Sequence, residues 1–168
     1  MDDAGAVLAK TPLFSDALNE TQLAFLTKES RPAFFRAGTR LMNQGEFGGA
    51  MFVIVEGKVE VTFVDADARE QLVATLGPGD VVGEMSLFTG DRRTATVAAE
   101  TNIDAIEITK SSLERVFAKA PELVDKFAAV LAKRQAELNA VSHSHSAASH
   151  EKFARGARKV FAGLFRRD

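Results

Sequence analysis

The chain has no cysteine, no tryptophan and no tyrosine among its 168 residues. The absence of cysteine excludes disulfides, thiolate metal sites and a cysteine nucleophile, and it fits a reducing compartment. No apolar run approaches the roughly 20 residues that span a bilayer, and the acidic start MDDAGAVLAKTP has no signal-peptide pattern. We therefore expect a cytoplasmic protein. Because the aromatic residues are 13 phenylalanines, we expect phenylalanine rather than tyrosine or tryptophan to fill the core.

Histidine is also scarce, because all three histidines lie in the segment VSHSHSAASH at 141–150. The region 30–109 therefore lacks the usual ligands of a metal-dependent enzyme on a cupin-like barrel. No Ser-His-Asp or Cys-His set is available for nucleophilic catalysis. These absences argue against an enzyme, and no carboxylate near the three histidines supports a metal site.

Short β-prone runs separated by glycine-containing turns dominate residues 30–109. A continuous apolar run at 51–55 predicts one strand, and the alternation of Val59, Val61 and Phe63 with polar residues predicts another with one buried face. The sequence GPGD at 77–80 is a strong turn signal. About eight such strands predict an α+β protein built on an antiparallel jelly roll.

Helical periodicity flanks this region on both sides. Capping-box patterns at Asn19 and Ser111 predict two helix starts, and a long helix is predicted from Pro121 to about Ala140. The predicted segments are N-terminal helices at 1–29, the β-roll at 30–109, two helices at 110–140, a polar linker at 141–150 and a basic amphipathic helix at 151–168.

Residues 79–99, GDVVGEMSLFTGDRRTATVAA, combine a glycine-led turn with an acid and an arginine. Gly83 lets backbone approach a ligand, and the free N–H groups of a short helical turn after it point toward an anion. Glu84 can accept hydrogen bonds from sugar hydroxyls, and Arg93, at the start of the next predicted strand, can hold a phosphate diester with its planar fork. A simple turn and a solvated arginine pair are the alternative explanation of the same residues.

The stretch GEMSLFTGDRRTATV at 83–97 resembles the phosphate-binding cassette of cyclic-nucleotide-binding domains. That cassette has the pattern Gly-Glu-hydrophobic-small-Leu, a short spacer, then Pro-Arg-(Ser/Thr/Ala)-Ala-(Thr/Ser)-Val. Further matches are KTPLFSDAL near Lys10, QGEFGGAMFVIVEGKVEV at 44–61 and KAPELV at Lys119, so the resemblance covers about residues 8–140. It implies cAMP or cGMP as the ligand, with cAMP favoured because the domain has a bacterial character.

The resemblance implies a role for each cassette position. Glu84 matches the acceptor of the ribose 2′-hydroxyl, and Arg93 matches the arginine that pairs with the cyclic phosphate. Thr94 matches the hydroxyl beside it, which in some members favours cGMP through a base contact. The positions whose backbone N–H groups approach ribose and phosphate match Gly83, Met85 and Ser86.

Two further expectations follow from the resemblance. Arg92 stands where the family usually has proline, which we expect to loosen the loop and to add a charge. The last long helix of the family folds over the base as a lid; here Lys133 or Arg134 is the candidate base contact, with an exposed helical charge pair as the alternative. We expect nucleotide binding to favour the closed lid and to reposition the tail.

The tail at 151–168 carries six Lys and Arg against two acidic residues, whereas the other 150 residues sum to a net charge of −6. An acidic body is a poor partner for nucleic acid, so no nucleic-acid binding is expected. The apolar residues of the tail fall on one helical face. This pattern predicts a helix that lies on an anionic membrane, docks into a partner protein or packs on its own domain.

The predicted function is a regulatory sensor that binds a cyclic nucleotide and passes a helix movement to an effector. The sequence LAKRQAELNA and the basic terminus resemble the C-terminal regulatory domains of bacterial membrane proteins such as mechanosensitive-like channels, which places the chain at the inner face of the membrane. A catabolite-activator-type transcription regulator is the alternative; only 28 residues follow Ala140, so no helix-turn-helix domain is expected there. A cupin-like enzyme is the third candidate.

Overall fold

The computed structural model describes residues 4–139, which form eight strands and six helices. Three helices come first: α1 (Ala4–Ala9), α2 (Pro12–Ser15) and α3 (Glu20–Glu29). The strands and the short helix between them are β1 (Arg31–Phe35), β2 (Arg40–Met42), β3 (Ala50–Glu56), β4 (Val59–Val64), β5 (Glu70–Leu76), β6 (Val81–Val82), α4 (Glu84–Thr89), β7 (Thr96–Ala99) and β8 (Ile103–Thr109). Two helices follow: α5 (Lys110–Lys119) and α6 (Leu123–Asn139).

The eight strands form two four-stranded sheets, in the orders β1-β8-β3-β6 and β2-β7-β4-β5. Every pairing is antiparallel. Two facing antiparallel sheets with helices at one side confirm the predicted α+β jelly roll. The strand that the sequence analysis missed is β2, which has only three residues and pairs with β7 across an irregularity in register.

Strand β3 of the first sheet is buried on both faces, which explains the continuous apolar run at 51–55. Met51 and Val53 face the helices, whereas Phe52 and Ile54 face the second sheet. Because successive strand residues point to opposite faces, a strand covered on both sides needs apolar residues at every position. The first sheet is therefore the wall between the two hydrophobic cores.

A cluster of phenylalanines fills the core on the helical side. Phe14, Phe88, Phe117 and Phe127 are fully buried and come from α2, α4, α5 and α6. Phe88 stacks on Phe127 with ring centroids 5.6 Å apart, and Phe127 meets Phe117 edge to face at 5.4 Å. These four phenylalanines join α2, α4, α5 and α6 in one core, as the composition predicts, whereas Phe34 and Phe47 are exposed.

The helix starts were predicted with mixed success. The capping box of α3 is confirmed, since Asn19 accepts from the Gln22 N–H at 2.8 Å and Gln22 accepts from the Asn19 N–H at 3.0 Å. The capping box at Ser111 and Glu114 is wrong. Thr109, the last residue of β8, has an extended backbone, and its Oγ1 accepts a hydrogen bond from the Ser112 N–H. The helix therefore begins at Lys110, two residues earlier than a cap at Ser111 would place it.

The long helix begins at Leu123 rather than at Pro121. Residues 120–123 form a turn instead, with a hydrogen bond from the Leu123 N–H to the Ala120 carbonyl at 3.0 Å. The predicted linker at 141–150 and basic helix at 151–168 lie outside the described residues, and the predicted division into functional segments stays a prediction. Within residues 4–139, no helix is both long and apolar enough to cross a membrane.

Candidate functional site

Gly83 joins β6 to α4 and sets the path of the cassette. Its φ of +87° lies in the left-handed region that favours glycine. A Cβ at this position would lie only 2.6 Å from Nη1 of Arg93 and 3.1 Å from the Ala50 carbonyl oxygen. The glycine is therefore required both by the turn and by the close approach of the arginine.

The short helix α4 has two faces with different surroundings. Leu87 and Phe88 are buried in the helical core, where Phe88 stacks on Phe127 of α6. Glu84 and Ser86 are also buried, but they face a cavity beside the second sheet. A helix of six residues thus connects a polar site with the aromatic core.

Arg93 is nearly buried, with 6% of its surface exposed, and its guanidinium donates three hydrogen bonds. Nη1 donates to the Gly83 carbonyl and to Oγ of Ser86, both at 2.8 Å, and Nη2 donates to the Ala50 carbonyl at 2.7 Å. A guanidinium has five N–H groups in a fixed fork. These bonds use both hydrogens of Nη1 and one of Nη2, and they fix the plane of the fork.

Glu84 and Arg93 place two opposite charges in a poorly solvated site, where 8% of Glu84 is exposed. Burial lowers the pKa of Arg93, and the negative charge of Glu84 opposes that shift. Arginine stays protonated in proteins, so the site retains a guanidinium. Removing water from a charge is costly, and the carboxylate and the three hydrogen bonds of Arg93 offset that cost.

A loop before β3 lies across Arg93; we call residues 43–48 the strap. The Arg93 N–H donates to the Glu46 carbonyl at 2.7 Å, and the Gly45 N–H donates to the Arg93 carbonyl at 2.8 Å. Arg92 holds the strap from outside: its Nη1 donates to the Gly45 carbonyl at 2.9 Å and its Cζ lies 4.5 Å from the ring centre of Phe47. Arg92 adds the expected charge and holds the strap, whereas the expected loosening of its own cassette loop stays a prediction.

The cavity beside Glu84 and Arg93 has a volume of about 170 Å³. One side is polar and is formed by Glu84, Ser86, Arg93 and Thr94. The other side is apolar and belongs mainly to the second sheet and to β6; it comprises Met42, Val61, Leu76, Val81, Val82 and Val97. The arrangement offers a cation, a carboxylate and a hydroxyl at one end and an apolar surface at the other.

The same part of the chain matches a family model described as "Cyclic nucleotide-binding domain", over residues 32–120. The chain belongs to the cyclic nucleotide-binding domain family. The match includes the strap, the whole cassette and all of α5. The polar end of the cavity is formed by the cassette of this domain.

The domain is similar to proteins of two kinds. It is 31% identical over 133 residues to a CRP-like cAMP-activated global transcriptional regulator of Mycobacterium tuberculosis, covering 79% of this chain and 59% of the regulator. It is 33% identical over 119 residues to a cyclic nucleotide-gated potassium channel of Rhizobium etli, covering 71% of this chain and 32% of the channel. The chain thus spans less than two thirds of the length of these relatives.

A solved structure shows the same fold over nearly its whole length. The crystal structure of the N-terminal domain of a transcriptional regulator from Streptomyces coelicolor A3(2) matches with a TM-score of 0.68 and 30% identity. The match covers 83% of this chain and 99% of that one. That N-terminal domain is therefore a unit of similar size with the same fold.

The six cassette residues predicted to bind the ligand come together in the domain. All of them line the one cavity: Gly83, Glu84, Met85, Ser86, Arg93 and Thr94. Arg93 and Thr94 lie in a loop rather than at the start of a strand, because β7 begins at Thr96. The cavity brings them together, and their roles toward a nucleotide stay predictions.

The two candidate base contacts are not part of this arrangement. Lys133 is exposed and is not among the residues that line the cavity. The side chain of Arg134 lies outside the described part of the structure. In this arrangement α6 instead packs its apolar face, including Phe127 and Leu131, into the helical core. A base contact from Lys133 stays a prediction that requires α6 to move.

Sequence reasoning missed the apolar side of the cavity and the strap. Met42 belongs to the missed strand β2, and Val61 and Leu76 come from the β4–β5 hairpin, so only the folded sheets bring them to the cassette. The strap did carry a local signal, since QGEFGGA places three glycines close together. Within residues 4–139, no three His, Cys, Asp or Glu side chains are grouped so as to hold a metal ion.

Proposed function

We propose that the domain binds a cyclic nucleotide, preferentially cAMP, in the cavity beside the cassette, and that its role is binding rather than catalysis. The observation that carries this proposal is the buried Arg93 held by α4 with Glu84 beside it. A cyclic phosphate diester carries one negative charge, which the guanidinium matches. Glu84, as an ionised carboxylate, is an acceptor for the ribose 2′-hydroxyl.

The hydrogen bonds of Arg93 indicate how it would meet the phosphate. The Nε–H and the second Nη2 hydrogen are not used in the three bonds described above, and together they form one edge of the fork. A phosphate bound on that edge would accept two parallel hydrogen bonds. Ser86 Oγ accepts from Arg93 at 2.8 Å, so its own hydrogen remains to donate to a phosphate oxygen.

The size of the cavity supports a ligand that is only partly enclosed before a lid closes. At about 170 Å³, it is smaller than the about 300–1,000 Å³ typical of small-molecule sites. The polar end contains the buried Glu84, Ser86 and Arg93, whereas the base would lie against Val61 and Leu76 near the open side. A lid over the base would complete the site, as the resemblance implies.

The contact between α4 and α6 supports the proposed transmission. Phe88, two residues after Ser86, stacks on Phe127 with an interplanar angle of 12°. A ligand that moves α4 displaces Phe88, and α6 must then repack because close-packed cores are not continuously deformable. We propose that the nucleotide stabilises the state in which α6 covers the base.

The effector is proposed to be a membrane channel or another membrane-associated partner reached through residues 151–168. A transcription regulator is the second candidate. It is favoured by the match to a regulator's N-terminal domain over 99% of its length, and in that case the DNA-binding part would be a separate domain. Co-sedimentation with anionic vesicles, with and without residues 151–168, separates the two: membrane binding that depends on the tail supports the first candidate.

Calorimetric titration with cAMP, cGMP and 5′-AMP tests the proposed ligand. We expect cAMP to bind more tightly than cGMP, and 5′-AMP to bind weakly because it carries a second charge and lacks the cyclic diester. Arg93→Leu should abolish most of the cAMP affinity, and Arg36→Leu, at an exposed arginine of the same protein, should leave it unchanged. Absence of binding to either cyclic nucleotide would refute the proposal.

The movement of α6 has its own test. Because the chain has no cysteine, Lys133→Cys and Arg36→Cys together introduce two unique and exposed sites for spin labels. We expect the distance distribution between the two labels to shift when cAMP is added. An identical distribution with and without saturating cAMP would contradict the lid mechanism while leaving the binding site intact.

A further inference from the structure

Gly48 is the last residue of the strap and lies directly against the guanidinium of Arg93. A Cβ added at Gly48 would overlap Nη2, Cζ and Nε of Arg93. Its φ is not in the left-handed region, which in this chain is occupied by other glycines such as Gly45 and Gly83. The backbone φ at Gly48 therefore does not itself require glycine, and the three atoms nearest to an added Cβ all belong to Arg93.

The guanidinium is held in its present place by three hydrogen bonds. It lies between the strap and the start of α4, bonded to Gly83 and Ser86 on one side and to the Ala50 carbonyl on the other. A methyl group at position 48 must therefore either lift the strap or move the guanidinium. Either change breaks the bond to Ala50 or alters the direction of the Nε–Nη2 edge.

The strap is itself fastened at its outer side. Arg92 donates to the Gly45 carbonyl and packs over Phe47, although 69% of the Phe47 surface is exposed. The backbone of Arg93 completes the attachment through its bonds to Gly45 and Glu46. Two consecutive arginines thus hold the strap from opposite sides, Arg92 from the solvent and Arg93 from the cavity.

We infer that Gly48 is a positioning residue for Arg93, and that the contact of Arg92 with Phe47 holds Gly48 in place. The side-chain-free strap leaves room for the guanidinium in the orientation in which it donates to Gly83, Ser86 and Ala50. This inference rests on the proposed function only for its effect on ligand affinity, because the contact between Gly48 and Arg93 exists without a ligand.

The next glycine provides a matched control. Gly49 also lacks a left-handed φ, and a Cβ there would meet no atom within 4 Å. We expect Gly48→Ala to weaken cAMP binding about tenfold, because Arg93 loses its fixed orientation, and Gly49→Ala to change it less than twofold. Equal affinities of the two variants for cAMP would overturn the inference.

A measurement without ligand separates this inference from the proposed function. The Nε–H signal of Arg93 in a nitrogen-proton NMR spectrum is identified by its loss in Arg93→Lys. We expect Gly48→Ala to shift or broaden this signal and Gly49→Ala to preserve it. If the wild type binds no cyclic nucleotide, the proposed function fails; the inference fails if Gly48→Ala leaves the Arg93 signal unchanged.

A double-mutant cycle distinguishes positioning from a general loss of structure. Lysine has no Nη atoms, so in the Arg93→Lys background a methyl group at position 48 has no guanidinium to displace. We expect Gly48→Ala to cause less than a twofold further loss of cAMP affinity in that background. A further loss as large as in the wild type would show that Gly48 acts independently of Arg93.

Arg92→Gln should weaken cAMP binding about threefold and speed hydrogen exchange at the Gly45 amide, and unchanged values of both would refute the role of Arg92.

Discussion

The two faces of α4 differ in what holds them. On the cavity face, Glu84 and Ser86 are fixed by charge and by hydrogen bonds around Arg93. On the core face, Leu87 and Phe88 are fixed by apolar packing against α5 and α6. Hydrogen bonds are directional, and a charged ligand can replace them with bonds of its own. Close aromatic packing instead makes a displacement of one helix move the helix packed against it. Under the proposed function, recognition and transmission would be separate properties of neighbouring residues in one short helix.

The largest expected effect comes from the core face. Phe88→Ala should lower the free energy of unfolding by about 3–5 kcal/mol, the usual cost of deleting a buried phenyl ring. Thermal and urea unfolding of the variant measure this loss. Phe34→Ala is the control, because 58% of Phe34 is exposed and surface substitutions change stability by about 0.5 kcal/mol or less. An equal loss in both variants would contradict the assignment of Phe88 to the core.

A milder substitution at the same position separates the two faces. We expect Phe88→Leu to keep the fold and to leave the cAMP affinity within about threefold of wild type, because Phe88 does not line the cavity. The cAMP-dependent change in the spin-label distance between positions 36 and 133 should shrink, because the stack on Phe127 is lost. A normal distance change in this variant would show that movement reaches α6 by another route.

The cavity face should show the opposite pattern. Arg93→Leu removes a charge-assisted interaction worth about 1.5–3 kcal/mol, so we expect the cAMP affinity to fall by about ten- to a hundredfold. It also leaves the acceptors at Gly83, Ser86 and Ala50 without their donor, at a cost of about 1–3 kcal/mol of stability. Calorimetry and thermal unfolding measure the two losses. Unchanged affinity for cAMP would exclude Arg93 as the phosphate ligand.

The smallest expected effect concerns the base. Thr94 is exposed at the edge of the cavity, and its hydroxyl is the predicted contact that favours cGMP. We expect Thr94→Ala to weaken cGMP binding about two- to fivefold and to leave cAMP binding unchanged. This loss lies within the free energy of one neutral hydrogen bond, about 0.5–1.5 kcal/mol. Parallel titrations with both nucleotides measure the ratio. A ratio equal to that of the wild type would remove Thr94 from base selection.

The sequence predicted what depends on local pattern and missed what depends on the assembled sheets. The turn at Gly83 and the capping box at Asn19 follow from neighbouring residues, and both were predicted correctly. The wrong capping box at Ser111 shows the limit of that approach, because Thr109 caps the helix two residues earlier and its place depends on where β8 ends. Met42 and Val61 meet the cassette through strand pairing, and the overlap between Gly48 and Arg93 joins residues 45 positions apart.

The central claim is that Glu84 and Arg93 hold the ribose and the phosphate of one ligand in this cavity. The most direct measurement compares cAMP with 2′-deoxy-cAMP in the wild type and in Glu84→Ala, since a ratio taken within each protein cancels any loss of folding. We predict that the wild type binds cAMP at least about tenfold more tightly, as expected for a hydrogen bond to a charged acceptor, and that Glu84→Ala discriminates less than twofold. Equal binding of both ligands by the wild type, or discrimination that survives in Glu84→Ala, would contradict the claim.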